Sequence, residues 1–282
     1  MYRERDELRS KYQSSRQQCE AARRELEATR RELEATRGEF EDQVDALLGK
    51  MLERAPPLAG ERAEPRWRWG KQSFFEQLPR AGTLLDVGCG NNSPSWTKQH
   101  LPEWRYVGLD IGDYNQTEPN LADEYILTTP ERFCDAIELH ENSVDVVVSS
   151  HNLEHCFDRS RALLAMARSL RSNGRMYLSF PCHDSVDFPG FRDGCLNYYD
   201  DTSHRDEPPD FGSVISALTK EGLRIIYATT RYQPPLDWVY GLKNEAESAK
   251  EKQTKPGTWA YWGFETIIWA EKTCADSVLK DR

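Results

Sequence analysis

The chain changes its hydrophobic rhythm once. Through residue 54 apolar side chains recur every seven positions; beyond residue 66 they gather into short runs separated by segments of helical period. Tyr12, Cys19, Leu26, Leu33, Phe40 and Leu47 share one heptad position, and Arg23–Thr29 is repeated unchanged as Arg30–Thr36. The companion seam is weaker, reading Leu8, Ser15, Ala22, Thr29, Thr36 and Gln43. No proline precedes Pro56 and no glycine precedes Gly38. The pattern predicts a continuous helix over 1–54 whose narrow apolar stripe needs covering, as in a coiled coil. Such a seam implies a homo-oligomer or a coiled-coil partner. Pro56, Pro57 and Gly60 then interrupt the helix, which makes 55–66 a linker.

From residue 67 onward strands and helices alternate. Strands are expected at Thr83–Val87, Arg105–Leu109, Tyr125–Thr128, Val144–Ser149, Arg175–Phe180, Leu223–Thr229 and Phe264–Ala270. Helices are expected at Trp67–Leu78, Ser95–His100, Arg159–Leu170 and Phe211–Lys220. The run Val146-Val147-Val148 is apolar on both faces, as in a strand covered from both sides. Alternation of this kind predicts an α/β fold, a doubly wound sheet with helices on both faces. Residues 67–282 form that domain, with insertions at about 183–210 and 233–263. The stretch Lys243–Lys255 is highly charged and reads as a mobile segment or a solvated helix.

Composition narrows the partners. Of 282 residues, 38% are apolar and 30% charged, with a net charge of −10. Residues 1–54 hold 12 Lys and Arg against 13 Asp and Glu, which leaves 25 against 34, a net −9, on the remainder. A body of that sign is unsuited to gripping nucleic-acid phosphates and suits a cationic or neutral ligand better. No apolar run is long enough to span a bilayer, and the first twenty residues lack the apolar core of a secretion signal. Seven cysteines without CxxC spacing point to reduced thiols, a cytoplasmic location and no metal site.

The chemistry concentrates after the first strand. Leu84-Leu85-Asp86-Val87-Gly88-Cys89-Gly90 places two glycines where the chain leaves the sheet, and Asp110 closes the next strand. Glycines there permit a tight turn and a close backbone approach to a ligand. An acid ending the second strand is placed to accept both hydroxyls of a ribose. A nicotinamide enzyme would carry a third glycine where this chain has Ser93, and an apolar residue where it has Asp86, so that reading is disfavoured.

The combination resembles the class I S-adenosylmethionine-dependent methyltransferases. The resemblance continues through Ser143-Val144-Asp145-Val146-Val147 and Leu153-Glu154-His155, covers roughly residues 67–229 and takes in Phe264–Lys272 as a final antiparallel strand. It implies a Rossmann-like sheet of seven strands and S-adenosyl-L-methionine as cofactor. Gly88, Cys89 and Gly90 would line its methionine part, Asp86 would help hold the amino group, and Asp110 would take the ribose hydroxyls beside Ile111. Ser150 and His151 would border the cofactor at the end of the fourth strand. The segment Thr128–Phe133 departs from the family pattern, so the residue that meets the adenine amino group stays open.

For the transfer itself, His183 is the first choice of base, with Asp184 adjacent to orient it, and His155 the second; His151 and His204 are further candidates. The polar, aromatic insertions, with Tyr198, Tyr199, Tyr232, Trp238, Trp259 and Trp262, suit O-methylation of a saccharide or glycan-type acceptor. They equally suit a small satellite core. The alternatives are a small phenol or amine acceptor, and a coiled-coil interaction protein whose globular domain senses cofactor.

Overall fold

The computed structural model describes residues 20, 22–33, 35–36, 70–90, 93–113 and 120–273. The chain divides into two units, Met1–Arg62 and Ala63–Arg282. In the first, the described residues between 20 and 36 are helical and exposed, Leu26 and Leu33 among them. Tyr12, Cys19, Phe40 and Leu47 of the expected seam, and the linker 55–66, lie outside the described residues.

In the second unit, the apolar runs pair into one mixed sheet. Its strands are β1 (Thr83–Val87), β2 (Arg105–Asp110), β3 (Glu124–Leu127), β4 (Val144–Ser150), β5 (Leu170–Pro181), β6 (Leu223–Thr229) and β7 (Glu265–Lys272), in the order β3-β2-β1-β4-β5-β7-β6. β1 to β5 run parallel, and β7 lies antiparallel between β5 and β6. This is the seven-stranded Rossmann-like arrangement that the resemblance implies.

The helices are α1 (Lys71–Glu76), α2 (Ser93–His100), α3 (Phe133–Glu138), α4 (Arg159–Ser169), α5 (Phe211–Lys220), α6 (Pro235–Glu251) and α7 (Thr258–Trp262). Strand alternation sends neighbouring side chains to opposite faces, and both faces are covered. Leu85, Val87 and Val147 pack with Met166 of α4 and Leu218 of α5, whereas Leu84, Val146 and Val148 pack with Phe74 and Phe75 of α1. Asp158 and Asp210 cap α4 and α5 by accepting from Arg161 N and Ser213 N, the local chemistry that starts a helix there.

Helices α3 and α7 form where no helix is expected. Helix α3 lacks a long apolar repeat and is held mainly by Phe133, Cys134, Ala136 and Ile137 against the core. The charged stretch after residue 243 takes the helical one of its two expected forms, continuing α6 as far as Glu251, and the chain turns out at Lys252 with φ +56°. The sheet order reverses between β1 and β4. At such a point the connections diverge to opposite faces and leave a crevice at the carboxyl ends of the strands.

Candidate active site

Gly88 N and Cys89 N both donate to Leu109 O, at 2.8 and 3.3 Å, so the chain leaves β1 by folding over the end of β2. Gly88 and Gly90 adopt φ of +72° and +56°, a region side-chain-bearing residues enter at a cost. Their surroundings differ. A Cβ on Gly88 would sit 2.2 Å from Asn152 Cγ, whereas one on Gly90 would meet nothing within 4 Å. Protein packing therefore requires the first glycine, and the second fronts open space. Both glycines are expected to clear room for a ligand; an added Cβ finds open space only at Gly90.

Asp110, buried at the end of β2, accepts from Gly90 N through Oδ2 and from Ile111 N through Oδ1, both at 2.7 Å. Burial raises its carboxyl above the ordinary range, against the pull of the Gly90, Ile111 and Gly112 N–H groups. A carboxylate offers about four acceptor positions, so these amides leave Asp110 acceptor capacity for a ligand. It lines a cavity of about 150 Å³ with Ile111, Glu131, Phe133, Asn152 and His155. Cys134 and Cys156 border it too; burial raises both thiols, Cys156 to about 12. Neither is a thiolate nucleophile at neutral pH.

Asp86 sits deeper, 2% exposed, and accepts from Tyr106 OH at 2.8 Å. Burial raises its carboxyl, opposed by Lys71 and that hydroxyl. Cys89 is a buried thiol, also raised by burial. Ser150 ends β4, and its buried Oγ has no hydrogen-bond partner among the described residues, a hydroxyl left over for a ligand.

His151 follows with φ +49°. Its Nδ1 lies 3.2 Å from Glu154 Oε1 and its Nε2 2.9 Å from Glu265 Oε1 at the start of β7. Burial alone would lower its pKa, but hydrogen bonds to both carboxylates outweigh that and hold it at about 10. It is a clamped imidazolium between Phe264 and Trp259. His155 closes the short 3-10 turn Leu153–His155 and reaches the cavity of Asp110. His204 packs 4.8 Å from His155, ring to ring.

A second cavity, about 320 Å³, is lined by Tyr232, Asp237, Thr258, Trp259 and Glu265, the last two of which also contact His151. Glu265 pairs with Pro181 at the end of β5, so both cavities lie along the carboxyl edge of the parallel strands. Of the insertion aromatics, Trp259, Trp262 and Phe264 join Phe188, Phe191 and Leu196 in a satellite core, while Trp259 also faces the second cavity. His183 is exposed, lines neither cavity, and its neighbour Asp184 pairs with Arg231 at 3.3 Å. The pairing of Asp184 with His183 that adjacency suggests is not made.

Sequence reasoning missed Asn152, Phe133, Glu131 and Glu265. The departure of Thr128–Phe133 from the family pattern was a signal for two of them. Glu265 meets a histidine 114 positions earlier, which no local pattern announces.

Residues 85–178 match the family described as "Methyltransferase domain". The 27-O-demethylrifamycin SV methyltransferase of Amycolatopsis mediterranei is 34% identical over 106 residues, which cover 35% of this chain and 39% of that protein. An uncharacterized protein of Methanocaldococcus jannaschii is 25% identical over 117 residues, 38% of this chain and 30% of its own length. The chain thus spans well under half the length of either. A solved S-adenosylmethionine-dependent methyltransferase from Mesorhizobium loti superposes with a TM-score of 0.49 at 16% identity, over 73% of this chain and 98% of that one. The matched segment runs from β1 to β5 and carries Asp86, Gly88, Gly90, Asp110, Ser150 and His155, so the part of the chain that holds the first cavity is similar to a methyltransferase domain.

The His151 clamp has a pH signature. A histidine whose pKa rises on folding stabilises the native state fully below its unfolded value, near 6.5, and loses that contribution as pH climbs through the folded value. The urea midpoint of the wild type should therefore exceed that of His151→Gln by a margin that is largest below pH 6.5 and shrinks toward pH 10. A margin unchanged across that window would show that His151 is not clamped in its charged form.

Proposed function

We propose that the protein is an S-adenosyl-L-methionine-dependent methyltransferase that methylates a hydroxyl oxygen of a saccharide-like acceptor. The observation that carries this reading is Asp110: a buried carboxylate fixed by Gly90 N and Ile111 N, facing a cavity beside a glycine whose missing Cβ leaves open space. In that place Asp110 would accept the ribose hydroxyls, with Ile111 and Phe133 lining the slot for the base. Gly88, Cys89, Gly90 and the free hydroxyl of Ser150 would border the methionine part. Asp86, enclosed behind them, would act on the amino group by charge, and His151 would border the cofactor by holding the β4 turn. When bound, the cofactor supplies a methyl group on a sulfonium sulfur. The chain's own task is to align the acceptor, exclude water and take away its proton.

The second cavity supports an acceptor rich in hydroxyl groups. Tyr232, Asp237, Thr258 and Glu265 offer donors and acceptors beside the flat face of Trp259, a pairing suited to sugar rings. The Amycolatopsis mediterranei relative is named for an oxygen site, which favours a hydroxyl over an amine. Of the two expected bases, His155 reaches the cofactor cavity and His183 does not, so His155 is the group placed to draw the proton. Residues 1–54 would serve as a coiled-coil helix that joins copies of the chain, 55–66 as a linker and 67–282 as the transferase.

Three outcomes test this. Asp110→Ala should weaken S-adenosylhomocysteine binding by ~1.5–3 kcal/mol, the worth of a charge-assisted hydrogen bond; calorimetry giving an unchanged affinity would remove the cofactor assignment. Turnover, followed as methyl mass gain on sugar acceptors, should fall by ~10²–10⁴ in His155→Ala with cofactor affinity kept, and much less in His183→Ala; the reverse ranking would return the base to the loop after β5. For assembly, Leu26→Glu with Leu33→Glu should lower the particle mass of the full chain in light scattering, because both side chains lie exposed on one stripe. An unchanged mass would exclude that seam.

A further inference from the structure

Beside the cofactor cavity, Glu154, His155 and His204 bring one carboxylate oxygen and two ring nitrogens within 4.8 Å of one another. Hydrogen-bond chemistry fixes which nitrogens are available. Ser203 Oγ donates its single hydrogen to Asp201 Oδ1 at 2.6 Å, so at 3.0 Å it can only accept from His155 Nδ1. His204 Nδ1 faces the carbonyl of Tyr198, which can only accept. Both imidazoles therefore carry a hydrogen on Nδ1, which leaves Nε2 as the nitrogen that can serve a ligand; that of His204 lies 4.0 Å from Asp201 Oδ2. A hydrogen bond on the other ring nitrogen, here to a hydroxyl for His155 and to a carbonyl for His204, is what orients a metal-binding histidine.

The third group completes the set. Glu154 is 0% exposed; Oε1 is taken by His151, and Oε2 is buried with no hydrogen-bond partner among the described residues. A buried carboxylate oxygen left unpaired is costly and calls for a missing partner such as an ion. The guanidinium of Arg159 reaches the Glu154 carbonyl, not its carboxylate. Main-chain contacts hold the two segments together: Arg205 N donates to Glu154 O at 3.0 Å, and Arg205 Nε donates to His155 O at 3.1 Å. These anchors place His204 opposite His155 without using any of the three candidate ligand atoms.

The geometry assigns to Glu154, His155 and His204 a site for one divalent transition-metal ion of the zinc class. Two neutral imidazoles and a carboxylate, with no thiolate, form a donor set that such ions prefer over magnesium or calcium, and three ligands leave coordination positions open. Ligand atoms sharing an ion at ~2.1 Å stand roughly 3–3.5 Å apart, so the side chains would draw in by about an ångström. Cysteine spacing predicts no metal site, and this set contains no cysteine. Because His155 lines the cavity of Asp110, the open positions face the cofactor side. The role of the ion, though not its site, rests on the methyl-transfer reading. Bound to Nε2 of His155, it takes over the proton-drawing task by binding an acceptor hydroxyl and lowering its pKa, and the proton leaves to water.

Cobalt(II) reports this directly. Added to chelator-treated full-length protein, Co²⁺ should give saturable visible d–d absorption at one ion per chain, displaced by Zn²⁺, and Zn²⁺ should raise the unfolding midpoint. His204→Ala and, separately, Glu154→Gln should weaken Co²⁺ binding by ~10–100-fold or more. S-adenosylhomocysteine binding, read by calorimetry on the same samples, should persist in His204→Ala, which touches neither Asp110 nor Glu265. Wild-type protein that binds S-adenosylhomocysteine but shows no saturable cobalt absorption would overturn the site and leave the methyl-transfer reading standing. Cobalt binding undiminished in His204→Ala would also overturn it. Cobalt binding without S-adenosylhomocysteine binding would support the site and sink the cofactor reading instead.

Discussion

A doubly wound sheet that ends in an antiparallel strand has two halves to fasten at the edge where ligands bind. In this protein the fastening is ionic. His151, at the end of the parallel strand β4, is held between Glu154 in the following turn and Glu265 at the start of the antiparallel β7. The residue takes φ +49° to do so, a conformation that costs a side-chain-bearing residue of order 1–3 kcal/mol; two charge-assisted hydrogen bonds offset it. Once it is fixed, the rest of the edge follows. Asn152 is set against Gly88, Leu153–His155 turns toward the cavity of Asp110, and Glu265 is turned toward the second cavity.

That arrangement divides the labour along one line of the sheet. On the β2 side, backbone amides and one carboxylate form a compact slot, built by strand ends and glycines and insensitive to most side chains. On the β5 and β7 side, the walls come from α6, α7 and the chain between them, and present polar and aromatic groups. The aromatic residues there do two jobs. Phe264 and Trp262 fill a satellite core, while Trp259 both packs against Phe264 and faces the cavity, donating its indole N–H to the Cys195 carbonyl. A wall stiffened in this way can present a ring face without losing much entropy on binding.

The sheet was readable from the sequence because its signals are local. Apolar runs bounded by glycine and proline placed all seven strands, and Thr83–Val87 and Leu223–Thr229 agree to the residue. The turn at Gly88 and Gly90 and the strand end at Asp110 were readable for the same reason, since a turn and a strand end are written in adjacent residues. What failed was long-range or conditional. His183 looked well placed because it follows β5, yet it points out to solvent while Asp184 turns to Arg231. Gly88 looked like a ligand glycine, and it is Asn152, 64 positions on, that demands it. His204 comes beside His155 only because Arg159 and Arg205 pin an insertion onto the turn after β4. The charged stretch of α6 reads equally as mobile chain or solvated helix, and packing against α7 settles it as helix.

The central claim is that Asp110 marks a nucleoside site at the switch between β1 and β4. The most direct measurement is a crystal structure of the protein grown with S-adenosylhomocysteine. The account predicts both ribose hydroxyls within hydrogen-bond distance of the Asp110 carboxylate, the base between Ile111 and Phe133, and the sulfur end running past Gly90 toward Ser150. A nucleoside bound elsewhere, or with its ribose turned away from Asp110, would contradict it.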